Sequence, residues 1–122
     1  MTLTSYLITS VTTAIKTHME TLFLYGAAGD DNTPATAADT ALANEVFRDS
    51  IDEFDSAQSK IITASLRILT TESNGYTIRE GGWFDAASAG NLLVRNVLTA
   101  ITKTSDIQLF LDTQIDIDVS ED

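Results

Sequence analysis

Over the first 22 residues, Leu3, Leu7, Ile8, Val11, Ala14, Ile15, Met19 and Leu22 recur mostly at gaps of three and four. That spacing builds one apolar stripe along a helix. Thr2 or Thr4 is placed to cap its start. The many threonines are weak helix formers, so the helix depends on packing its stripe. The stripe fits the domain's own sheet or the same helix of neighbouring subunits, and its pattern does not choose between them.

Beyond the helix the period shortens to two. "LFLYG" (22–26) reads as a short buried strand. It runs into "AAGDDNTPATAADT", which holds the chain's only proline and predicts an exposed loop over 26–40, of the kind used for contact. "TALANEVFRDSIDEF" reads as a helical turn in its first half and a strand in its second. In "SKIITASLRILTTE", Ile62, Ala64, Leu66 and Ile68 alternate with Ile61, Thr63, Ser65 and Arg67, the mark of a strand. "SNG" at 73–75 signals a turn. "YTIREGGWF" reads as a strand whose paired glycines predict a bulge or a close backbone approach. "NLLVRNVL" is an apolar strand interrupted by Arg95. The last strand, "DIQLFLDTQIDIDV", sets Ile107, Leu109, Leu111, Ile115, Ile117 and Val119 on one face. Gln108, Asp112, Gln114, Asp116 and Asp118 lie on the other, together with Phe110. One face lies on a core and the other in solvent, as antiparallel sheets allow. The pattern predicts a mainly β fold: an antiparallel β-sandwich-like domain of about six strands preceded by one amphipathic N-terminal α-helix. It is expected to form one domain over 1–122, with the helix at 1–20 and the β-domain at 21–119.

Charge adds a second expectation. Eighteen acids face seven Lys and Arg, for a formal charge of −11, and three of those bases are lysines. Such a surface repels nucleic-acid phosphates and anionic lipid. Scarce lysine with abundant Asp, Thr and Ala points to adaptation to molar salt, where the Debye length shrinks to about 3 Å. The chain has no cysteine, which excludes disulfides and thiolate-bound metals. No apolar run reaches the roughly 20 residues that span a bilayer, and the start of the chain does not read as a secretory signal.

Candidate chemistry is sparse. The single histidine, His18, sits at the edge of the helix stripe, and the nucleophile elbow Gly-x-Ser-x-Gly is absent. The acids string along exposed faces, without spacing that picks out an acid–base pair. "GDDN" lacks the alternating ligands and distal glutamate of an EF-hand, so it reads as a solvated loop, with a weak structural cation between subunits left open. No Gly-rich phosphate loop feeds a helix. Trp83 and Phe84 read as core or interface anchors. Arg95 either reaches the outer face or pairs with an acid such as Asp85 or Glu80, because an unpaired buried guanidinium costs several kcal/mol.

The stretch "GYTIREGGWFDAASAGNLLVRNVLTAITKTSDIQL" resembles a carboxy-terminal pattern in small structural proteins of tailed viruses, the tail-fibre or minor virion type. Ile78, Glu80, Gly82, Trp83, Phe84, Asp85, Gly90, Leu92, Leu93, Arg95, Lys103 and Asp106 occupy its positions. Trp83 stands where that pattern has leucine, and the helix here is richer in threonine. "AAGDDNTPATAADTALANEVFR" is similar to the loop of the same proteins, so the likeness covers about residues 20–119. It implies a non-enzymatic virion component: capsid decoration, tail or baseplate part, or fibre. Such a component binds itself, as a trimer, and docks on other virion proteins and on a host surface, without nucleic acid or membrane insertion. With the acidic surface, it points to a virus of a salt-loving archaeon, the protein made in the host cytoplasm and carried in the virion. Leu3, Leu7, Val11, Ile15, Trp83, Phe84 and Phe110 are the candidate interface residues. A different expectation is a carbohydrate- or receptor-binding module using Trp83 and the 26–40 loop. No cofactor is expected.

Overall fold

The computed structural model describes residues 1–120. Helix α1 spans Ser5–Glu20. Thr4 is its N-cap, the Thr4 Oγ1 accepting from the Leu7 amide at 3.3 Å, which satisfies one of the free N–H groups of the first turn. At the other end Thr21 closes the helix, its hydroxyl donating to the His18 carbonyl at 2.6 Å.

Seven strands follow: β1 Tyr25–Gly29, β2 Glu45–Ser50, β3 Glu53–Asp55, β4 Ile61–Ile68, β5 Thr77–Phe84, β6 Leu92–Thr102 and β7 Leu109–Asp116. They form two antiparallel sheets, ordered β2-β1-β5-β6 and β3-β4-β7. The fold is mainly β and sandwich-like, as the period-two patterning predicts. The alternation in β4 becomes burial: Ile62, Ala64, Leu66 and Ile68 are fully buried. They meet Leu111 and Ile117 from the β7 end and Ile78, Trp83 and Ala28 from the other sheet. Phe23 joins this core and packs near Phe54, the ring centroids 6.2 Å apart.

Two boundaries differ from the sequence reading. The strand expected at 22–26 begins at Tyr25 and runs to Gly29, so residues 26–29 are buried strand rather than exposed loop. Alanine and glycine carry little strand signal, and β1 is specified by close approach instead. A Cβ on Gly26 would lie 2.8 Å from the Leu66 Cβ. The connection proper is therefore 30–44, and it folds back over the outer face of the four-stranded sheet. There Leu42 joins Ala27 and Phe84 in a second, smaller core flanked by Tyr25 and Leu92.

Candidate functional site

The 30–44 connection is held by one carboxylate. Glu80, on β5, is fully buried. Its oxygens accept from the backbone amides of Ala43 (2.8 Å), Asn44 (2.9 Å) and Asp31 (3.3 Å), and from Arg95 Nε (2.9 Å). Arg95 Nη1 reaches Asp39 at 3.2 Å. Of the two acids offered to Arg95 by the sequence, Glu80 is the partner and Asp85 is not. Burial works against the charge of Arg95, but the hydrogen bond and charge of Glu80, then those of Asp39, outweigh it and raise its pKa. Asp39 is held below the usual carboxylate range, first by the Thr36 amide. Gly29 completes the seat, because a Cβ there would come within 2.4 Å of the Asn44 carbonyl oxygen and of Glu80 Oε2.

Beside this cluster a groove of about 270 Å³ lies between residues 35–39 and the start of β6. Asp39 and Arg95 line its wall and the buried Glu80 pairs with Arg95 behind it, so the cluster keeps a surplus negative charge and does not suit a phosphate or carboxylate ligand.

Asp85 instead closes the Ala/Ser/Gly loop after β5. It accepts from the Asn91 amide at 2.7 Å and from Asn91 Nδ2 at 2.8 Å, bonds that hold its carboxyl below the usual range. Arg48 closes the same loop from β2. Its Nη1 donates to the Ala86 and Ala89 carbonyls, and its guanidinium stacks 3.7 Å above the Phe84 ring. Ala89 and Gly90 take positive φ there. Lys103 is fully buried with its Nζ on Asn74 Oδ1 and the Thr104 carbonyl, joining the 73–75 turn to the one after β6. Within 79–107, the charged groups of Glu80, Asp85, Arg95 and Lys103 are thus spent on holding loops.

The expected interface residues separate into two groups. Trp83 and Phe84 are each 1% exposed inside the chain's own cores, so neither is available to a neighbour, and Trp83 offers no stacking platform for a carbohydrate. Period two alone does not show that both faces of β5 are covered. Phe110 lies on the open face of β7 at 59% exposure, opposite Arg67 of β4.

The helix row is also outside. Leu7, Val11 and Ile15 are 45, 38 and 36% exposed, with Leu3 half-buried beside them. The domain takes the neighbouring face of α1, where Thr12 is buried and Ile8, Lys16 and Met19 are half-buried. Lys16 anchors it, its Nζ donating to the Ser56 carbonyl at 3.1 Å and to that of Gln58. A groove of about 240 Å³ remains between Ile8, Thr12, Lys16 and the Ser59–Lys60 turn. Lys16 tethers the helix and Met19 packs it on the main core, while Leu7, Val11 and Ile15 face away.

His18 sits exposed near the end of α1, and no group of three or more His, Cys, Asp or Glu among the described residues can hold a metal ion. In "GDDN", Asp31 Oδ1 accepts from the Thr33 amide and hydroxyl, and Asp30 from Asn44 Nδ2. These acids shape the loop. Among the described residues, no helix is long and apolar enough to cross a membrane. No family model, curated protein or solved structure matches the chain.

Proposed function

We propose that the chain is a non-enzymatic structural component of a virus particle, of the tailed-virus kind, that works by associating with copies of itself through α1. The observation that carries this reading is the row Leu7, Val11 and Ile15, left open on a helix whose neighbouring face is tethered to its own domain by Lys16. Residues spaced by four form the ridge that packs into the groove of a second helix. Charge supports the same partner. The first 19 residues carry no acid, so the exposed row of α1 can meet the same row of another copy without stacking carboxylates. At roughly 25 cal/mol per Å², an interface near the standard of about 1,600 Å² supplies ample drive before the entropy of association is subtracted. The likeness of residues 20–119 to tail-fibre and minor virion proteins supports the particle as the setting, and the lysine-poor surface supports a salt-loving host.

Light scattering coupled to size-exclusion chromatography in molar sodium chloride tests it. A discrete oligomer, a trimer, is expected, and Val11→Glu should reduce it to monomer. A monomer at high micromolar concentration in the unaltered chain overturns the proposal.

A further inference from the structure

The two sheets leave four edges, and three of them are defended. β2 carries Glu45, Arg48 and Asp49; β3 is three residues long with two acids; β7 carries Asp112 and Asp116. Charges and short length are the ordinary means of keeping an edge from pairing with another chain. β6 has neither. It runs for 11 residues, pairs only with β5, and has one charge, Arg95, turned inward to Glu80. Residues 35–39 flank its first part. Residues 96–102, "NVLTAIT", have no charge and no proline, and Val97, Thr99, Ala100, Ile101 and Thr102 are exposed.

From this edge we infer that residues 96–102 of β6 pair antiparallel with the same segment of a second copy, joining two four-stranded sheets into one of eight strands. The occupant follows from charge. Like charges directly opposite across a ladder are destabilising, and self-pairing of β7 or β3 brings acids together on a chain of net charge −11. On β6, antiparallel self-pairing sets uncharged residue against uncharged residue at every position. One two-fold operation also satisfies the free N–H and C=O groups of both edges, and it closes at two copies. Seven residues make a small contact, so the pairing is weak alone and gains strength when copies are held near one another. A two-fold contact on β6 thereby links oligomers held by α1 into a larger assembly instead of enlarging each one.

Because the chain has no cysteine, one introduced thiol reports on one position. Thr99→Cys, Ala100→Cys and Ile101→Cys are compared with Asp49→Cys on the β2 edge, after melting curves confirm that each variant folds. A disulfide needs Cα atoms about 4.4–6.8 Å apart, which antiparallel pairs near a two-fold axis meet. Under mild oxidation at least one β6 variant should form covalent dimer roughly tenfold or more faster than the β2 control, as a held pair has a high effective concentration. In the unaltered chain, hydrogen exchange of β6 amides should slow with rising protein concentration while β2 amides do not change. Cross-linking no faster than the control overturns the proposal. Protection of β6 without any cross-link overturns the choice of occupant. The cross-link should survive in the Val11→Glu background; its loss there would make β6 a by-product of helix association and sink it as a contact of its own.

Discussion

Replacing Glu80 by glutamine keeps the shape of the side chain and removes its charge. The carboxylate accepts three backbone amides and Arg95 Nε while fully buried. Glutamine keeps one acceptor oxygen and turns an N–H₂ group toward donors. Arg95, with a side chain 3% exposed, is then left to Asp39, whose side chain is 26% exposed. Removing one partner of a buried ion pair costs about 3–5 kcal/mol. An unfolding entropy of roughly 2.1 cal/mol/K per residue gives about 0.26 kcal/mol/K for this chain, so Tm should fall by about 12–20 °C. Calorimetric or circular-dichroism melts of Glu80→Gln, Arg95→Met and the double variant measure it. The double variant removes the stranded guanidinium, so it should be less destabilised than the two single losses added, with a coupling of about 0.5–3 kcal/mol. A Tm shift for Glu80→Gln under about 4 °C, or strict additivity, would refute the idea that this carboxylate locks the 30–44 connection.

Gly29→Ala should destabilise by about 1–3 kcal/mol or more, because its Cβ would meet the Asn44 carbonyl and Glu80 at 2.4 Å, whereas Gly81→Ala, with its nearest neighbour at 3.5 Å, should melt like the parent; equal losses in denaturant titrations would contradict the close-approach argument. Asp31, Asp39 and Asp85 are held below the usual range by hydrogen bonds from Thr33, Thr36 and Asn91. Each such carboxyl contributes stability that is complete above its unfolded value of about 3.9 and is lost as pH falls through the lower folded value. Carbon NMR titration should therefore place all three midpoints below that value; midpoints at or above it would remove the predicted loosening of both loops in acid. With a net charge of −11, stability should drop sharply from molar to millimolar sodium chloride as self-repulsion returns, and unchanged melting across that range would count against adaptation to salt.

The amino-acid pattern by itself determined the helix and the sheets, because periods of three to four and of two are local consequences of backbone geometry. Ile62, Ala64, Leu66 and Ile68 announced the core face of β4, and Leu111 and Ile117 that of the last strand. It also required an acid for Arg95 if that residue lay inside, since desolvating a lone charge is costly, but it left the choice between Asp85 and Glu80 open. What it left open depended on partners distant in the chain. Gly29 and Gly26 are strand residues because of Glu80, Asn44 and Leu66, a requirement invisible to local propensity. Asp39 reaches Arg95 across 56 positions, and no spacing rule spans that separation. The helix stripe was legible, but its direction was not. Tertiary structure turned Thr12 and Lys16 inward, because the carbonyls of Ser56 and Gln58 gave the ammonium group acceptors, and so left Leu7, Val11 and Ile15 facing away.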